Sequence, residues 1–308
     1  MQKLSHICAM RIQLLTVVMM LGWTGAIGAA QTPAPAATGA ATVKTESWDY
    51  TAAAKETLKK FKGTAGVVLH MGDSITIDIA YGQWPLKSSN HSAEETAILQ
   101  WMHCGAKDKT DGWTLATTQI GWRVSATAAS GVKADEFLKG GKNAKDGKPG
   151  LATLDDMIKT YNPQMVVLML GTNDAWNGRT ADAFIADMTT IIDKLAANGT
   201  VVILSSIPPH THAPKLAEEY NARLFELAKT KKLPFLDFYG EILKRQPGTA
   251  WDGTILGKGD VHPTDHGPNG ITTVSAPTEE NLKNCGYLLR AWLTVQKIKE
   301  VKTKVIGN

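Results

Sequence analysis

Five apolar runs of strand length, spaced by stretches long enough for amphipathic helices, limit what this chain can fold into. Residues 66–71, 122–128, 165–170, 200–205 and 234–238 read as strands. Residues 51–61, 151–161, 181–197, 214–231 and 279–299 read as helices. Most of these strands show no polar alternation, so both faces of the sheet need cover. That pattern predicts an α/β domain in which a parallel sheet lies between helical layers. One region, 81–121, has no clear period and holds Trp84, His91, Trp101, His103 and Trp113. A segment of that length inside a compact domain reads as a functional loop or lid, or else as a decorated surface loop with a short helix near 93–102.

The beginning of the chain has a different character. Lys3 and Arg11 precede an apolar run, 12–27, that ends in Gly28-Ala29-Ala30, with no acidic residue among them. This is the layout of a secretory leader cut after Ala30. The run is short for a membrane span and is interrupted by Gly22, Thr24 and Gly25. Residues 31–45 are rich in Ala, Pro, Thr and Gly and read as a linker, which leaves 46–308 as one domain. The expectation is a secreted or periplasmic protein with no stable membrane insertion after the leader is removed. The formal charge of +4 falls to +2 once Lys3 and Arg11 are set aside, too mild a balance to imply nucleic acid. Cys104 and Cys285 remain, enough for one disulfide in an oxidising compartment.

The chemistry-bearing residues gather where the apolar runs stop. The first run ends in Gly72-Asp73-Ser74, which sets a hydroxyl at the carboxyl edge of the sheet, where ligands of parallel α/β proteins bind. Asp73 or Ser74 would also serve as a helix N-cap. A second run, Val166 to Leu170, ends in Gly171-Thr172-Asn173-Asp174, and the Asn173 amide is placed to donate to a developing oxyanion. Gly131, in Ala129-Ser130-Gly131-Val132, offers a backbone N–H. Far downstream, Asp260-Val261-His262-Pro263 supplies a general base and an acid to orient it. A serine hydroxyl is a poor nucleophile without such a base, and the base needs a fixed tautomer.

Together these stretches resemble the four blocks of the SGNH (GDSL-type) hydrolases, over about 66–293. The resemblance implies a three-layer α/β/α, flavodoxin-like fold with a five-stranded parallel sheet. It also implies a serine esterase that needs no cofactor and no metal. Ser74 would be the nucleophile and His262 the base, with the Ser74 N–H, the Gly131 N–H and the Asn173 amide as oxyanion hole. The last block departs from the family pattern. The acid usually stands three residues before the histidine, where this chain has Gly259; Asp260 stands two before. Asp260 is the expected acid, with Asp252 or a backbone carbonyl as alternatives.

His210-Thr211-His212 follows the fourth run, but without a nearby third ligand it reads as a loop lining the cleft rather than a metal site. Eight tryptophans lie beyond the leader, and Trp176 and Trp251 stand close to motif residues. With His210 they are the candidate substrate-binding residues, since aromatic faces stack on sugar rings. The expected activity is hydrolysis of a small ester through an acyl-enzyme, with acetylated oligosaccharide or polysaccharide as the favoured substrate. A lipid or aryl-ester acylhydrolase is the second reading, and a non-catalytic carbohydrate-binding protein on the same fold is the third.

Overall fold

The first apolar run becomes a strand because Val68, Leu69 and Met71 have apolar neighbours on both faces. In the computed structural model, which describes residues 47–103 and 111–307, β1 (Val68–Gly72) is buried at every position. A short antiparallel ribbon of β2 (Gln119–Gly121) and β3 (Val124–Ser125) follows. Then come β4 (Met165–Met169), β5 (Val201–Ser205) and β6 (Phe235–Leu236). The main sheet is parallel, in the order β1-β4-β5-β6. The helices Ala181–Ala197 and Pro214–Lys231 fall where the sequence places them. Their buried faces, including Phe184, Ile191, Tyr220 and Leu224, belong to one core with the strands.

Five strands were expected in the sheet and four form. The segment read as a strand at 122–128 gives only the two residues of β3 and one parallel bridge, Gly72 to Ala128, on the edge of β1 away from β4. The cause is local. Ser125 N donates to the Ala128 carbonyl at 2.8 Å, and Ser125 Oγ accepts from Ala128 N at 3.0 Å. The segment closes a turn on itself and uses the groups a ladder would need.

The 81–121 region is more ordered than its sequence suggests. Outside 104–110 it holds the helices Ile79–Lys87, Ala93–Trp101 and Gly112–Thr117. Each is defined by its cap. Asp78 accepts from Ala80 N, Ser92 and Glu95 form a capping box, and Asp111 accepts from Thr114 N. Tyr81, Trp84 and Trp113 are fully buried, so these helices are part of the core wall and not a lid of loop.

The C-terminal stretch read as one helix is two, Glu279–Leu282 and Gly286–Val301. The second starts hard against the preceding loop. A Cβ on Gly286 would lie 2.0 Å from the Ile255 carbonyl, so only glycine permits this approach. Gly286 N and Tyr287 N then donate to Thr264 Oγ1 and the Thr264 carbonyl, at 3.1 and 3.0 Å. This helix also buries Arg290, whose guanidinium donates to the Ile75 carbonyl and Thr76 Oγ1 at 2.6 and 2.8 Å and lies over the Tyr81 ring. One helix thus braces the turn after Ser74 and the loop after His262. Among the described residues, no helix is long and apolar enough to cross a membrane. The expected leader and linker lie outside the described residues, as does Cys104, while Cys285 is a free, buried thiol.

Candidate active site

At the carboxyl end of β1 the chain turns into a single helical turn, Ser74–Ile77, capped by Asp73. One Asp73 carboxylate oxygen accepts from Ile75 N at 3.0 Å. The other accepts from Asn173 Nδ2 at 3.3 Å, so the cap also ties the first motif to the third. Asn173 is the second residue of the matching short helix after β4, Thr172–Trp176, and its amide donates as well to the Val132 carbonyl at 3.2 Å. Burial pushes the Asp73 carboxyl up, against the Ile75 N–H and the Arg290 charge, which pull it down. The next residue, Asp174, is fully buried and accepts from Ala134 N and Arg179, and burial raises its carboxyl to about 6. Asn173 and Asp174 therefore hold the loop that carries Gly131 from one side.

His262 reaches this edge from a loop folded tightly on itself. Gly257 N donates to the His262 carbonyl and Asp260 N to the Gly257 carbonyl, both at 2.9 Å. The tight turn brings the Asp260 side chain back to the ring. Asp260 Oδ1 lies 2.8 Å from His262 Nδ1, and His262 Nε2 lies 2.8 Å from Ser74 Oγ. A carboxylate only accepts, so Nδ1 carries the proton and Nε2 is left to accept from the Ser74 hydroxyl. Partial burial pushes the Asp260 carboxyl up, but its hydrogen bond to His262, the charge that ring takes on when protonated, and the Val261 and His262 N–H groups outweigh this and lower it. Asp252 does not reach the ring; it accepts from Lys258 Nζ at 2.9 Å and Gly259 N at 2.6 Å, and so braces the loop from below.

Two cavities meet at Ser74 and His262. The narrower, about 430 Å³, is lined by Gly131, Asn173, Trp122 and Trp176 among others. The wider, about 670 Å³, runs past Ile77, Ile79, Leu86, Lys87 and Thr114. Among the described residues, the Ser74 and Gly131 N–H groups have no hydrogen-bond partner. Two free backbone donors thus face the cleft beside a serine–histidine–aspartate chain, with the Asn173 amide next to them, its two hydrogens given to Asp73 and Val132. That is the geometry for stabilising a tetrahedral oxyanion formed at Ser74.

The structure separates the three candidate substrate-binding residues. Trp176 is 56 % exposed and lines the narrower cavity. Trp251 is buried, its indole donating to the Gly248 carbonyl, and lines neither cavity. His210 is also buried, and its Nδ1 accepts from His212 N and Ala213 N, which makes it a turn-former rather than a cleft wall. Those two donors fix the Nε2–H tautomer. In place of these two, the sequence reading missed Trp122, 50 % exposed on the tip of the β2–β3 ribbon. Its position as the first residue of an apolar run concealed it. No group of three or more His, Cys, Asp or Glu side chains placed for a metal occurs among the described residues.

A family model for the GDSL-like lipase/acylhydrolase family matches residues 71–268. Over 151 residues the chain is 25 % identical to thioesterase 1/protease 1/lysophospholipase L1 of Escherichia coli K12, covering 46 % of this chain and 73 % of that protein. Solved structures similar to it include a GDSL-like lipase of Bacteroides thetaiotaomicron, with a TM-score of 0.49 and 19 % identity over 82 % of this chain and 97 % of the other. Another is a carbohydrate esterase family 3 protein of Talaromyces cellulolyticus, with a TM-score of 0.47 and 18 % identity over 76 % and 97 % of the two chains. The matched span runs from the end of β1 through Ser74, Gly131, Asn173 and His262, and so the chain belongs to the GDSL-like lipase/acylhydrolase family of ester-bond hydrolases.

Proposed function

We propose that this chain is an exported serine esterase that removes small acyl groups, acetyl above all, from carbohydrate. The observation that carries the catalytic part is the continuous chain from Ser74 Oγ through His262 to Asp260, 2.8 Å at each link. In this reading Ser74 Oγ attacks the ester carbonyl while His262 Nε2 takes its proton. Charge gathers on the carbonyl oxygen, where the Ser74 and Gly131 N–H groups meet it, joined by the Asn173 amide as it exchanges its bond to the Val132 carbonyl for one to the oxyanion. The imidazolium, stabilised by Asp260, then protonates the departing alkoxide and leaves an acyl group on Ser74. Water enters, gives its proton to His262, attacks the acyl carbon and releases the acid, which restores the serine.

The substrate reading rests on the walls. Trp122 and Trp176 present exposed indoles to the narrower cavity, and an amphipathic ring that is apolar on its face suits a sugar ring. The wider cavity has Ile77, Ile79 and Leu86, with Ile79 63 % exposed, which favours a longer acyl chain. The same wall holds Asp78, Gln83, Lys87, Thr114, Thr117, Thr118 and Arg123, polar groups that a long alkyl chain would strip of water. Short acyl groups on a polar alcohol fit better. Export rests on the Lys3, Arg11 and 12–27 leader pattern.

A fluorescent phosphonate followed by peptide mapping tests the serine chemistry. Labelling at Ser74 is expected, and an unlabelled protein would leave only a binding role. Acetylated oligosaccharides set against p-nitrophenyl esters of rising chain length test the substrate. A kcat/KM that climbs from acetyl to octanoyl would overturn the carbohydrate reading in favour of a lipid ester.

A further inference from the structure

The Gly131 N–H belongs to a peptide unit that is easily turned over. Val132 N donates to the Ala129 carbonyl at 3.3 Å, closing a four-residue turn with Ser130 and Gly131 in its centre. Gly131 has φ +75° while Ser130 does not enter the left-handed region, which is type II geometry. Rotating the central Ser130–Gly131 peptide converts a type II turn to type I, and glycine accepts either sign of φ at little cost. In the turned-over form the Ser130 carbonyl takes the place of the Gly131 N–H. A lone pair would then face the site where negative charge develops.

One side chain opposes that rotation. Asn143 Nδ2 donates to the Ser130 carbonyl at 3.0 Å and to the Arg123 carbonyl at 2.9 Å. The Arg123 carbonyl also accepts from Ser130 N at 2.9 Å, so the peptides on both sides of Ser130 are pinned. Because a trans peptide is planar, holding its C=O outward aims its N–H the opposite way. Accepting a hydrogen bond at the oxygen also polarises the amide and strengthens its N–H as a donor. Asn143 itself has φ +63°, a conformation that asparagine tolerates better than most residues. Its loop is fixed at the base by Gly141 N to the Leu151 carbonyl and Leu151 N to the Lys142 carbonyl, at 2.7 and 2.8 Å.

We propose that Asn143 is a positioning residue of the oxyanion hole, acting through the Ser130–Gly131 peptide. This rests on the serine esterase reading, in which the Gly131 N–H meets the oxyanion. Loss of Asn143 lowers the fraction of molecules with the N–H turned inward. It therefore lowers turnover without changing how the substrate is held before reaction.

The test compares Asn143→Asp, which keeps shape and backbone tolerance but removes both donors, with Asn143→Gly, which keeps the backbone and deletes the side chain. Readouts are kcat and KM on an acetyl ester, the acid limb of the pH profile, and inhibition by an alkylboronic acid. The boronic acid forms a tetrahedral anionic adduct with a serine hydroxyl. Expected are a tenfold or greater loss of kcat with KM within twofold in both variants, and, in Asn143→Gly, which adds no charge to the cavity wall, an unmoved acid limb and boronate affinity reduced in step with kcat. Should Asn143→Asp fail to fold, the same pattern in Asn143→Gly decides. Full kcat in either folded variant, or a loss with unchanged boronate affinity, overturns the proposal. Failure of the wild-type enzyme to form a boronate or phosphonate adduct at Ser74 overturns the serine esterase reading instead, before any variant is compared.

Discussion

At the residue scale the displaced acid is the point on which the mechanism turns. Asp260 reaches His262 from two positions away because a tight loop, closed by Gly257 N on the His262 carbonyl, curls its side chain back to the ring. Asp252 spends its carboxylate on Lys258 and Gly259. Asp260→Asn is therefore expected to lose orders of magnitude in kcat, and Asp252→Asn to stay within about threefold of wild type. The reverse ranking at fixed pH would move the acid to Asp252. The pH profile gives a second check. His262 must be neutral at Nε2 to take the Ser74 proton, so activity falls on the acid side as the imidazole protonates, while Asp260, lowered by its contact with His262, stays ionised there. A wild-type profile with no fall on the acid side, with chemistry rate-limiting, would count against a histidine base. Ser74→Ala should abolish turnover, and Asn173→Ala should cost on the order of 10²–10³ in kcat, the scale of one oxyanion donor. Near-normal turnover in Asn173→Ala would leave that amide only its structural bonds to Asp73 and Val132.

At the scale of elements, the site is held by pieces that meet closely rather than by strands alone. Gly286 lets the last helix start against Ile255 and Pro263, one residue from His262. Gly286→Ala places a methyl 2.0 Å from a backbone carbonyl, so the helix or the histidine loop must move. A loss of about 1–3 kcal/mol in stability is expected from such overpacking. A melting curve and kcat together check this: a variant with wild-type stability and turnover would show that the helix start is loosely seated. The same scale explains what the sequence made legible. Ser74, Asn173 and His262 stand out because each ends an apolar run or sits in a short polar motif, and edge position follows directly from strand direction. Of the helices in 81–121, Ala93–Trp101 answers to the short helix read near 93–102, while Ile79–Lys87 and Gly112–Thr117 were hidden because six to nine residues are too few for periodicity to emerge, and their caps, not their faces, define them. The missing fifth strand was hidden because Ser125 bonds to the backbone three residues on, which residue type alone does not announce. Trp251 and His210 looked like cleft residues by proximity in sequence, yet burial is decided by packing partners far along the chain.

At the scale of the whole molecule, the question is whether the active-site edge opens independently of the core. Cys285 is a built-in reporter, fully buried at the N-terminal end of the last helix, its thiol 3.6 Å from the Thr264 carbonyl. Burial pushes the thiol up to about 11, and thiol reagents attack the thiolate, so the folded protein should react very slowly. The last helix shares one continuous apolar core with β1, β4 and β5 through Leu288, Ala291 and Val295, which argues for a single cooperative unit. In a Cys8→Ser, Cys104→Ser background, labelling of Cys285 should stay slow through the denaturant baseline and rise only as the far-ultraviolet signal is lost. Labelling that rises well before that transition would show that the last helix detaches on its own. His262 would then be carried on a separately opening unit, and turnover should fall with the same early midpoint. Coincident midpoints for labelling, circular dichroism and activity are the expected result, because the helix that braces the histidine loop also buries Arg290 beneath the serine turn.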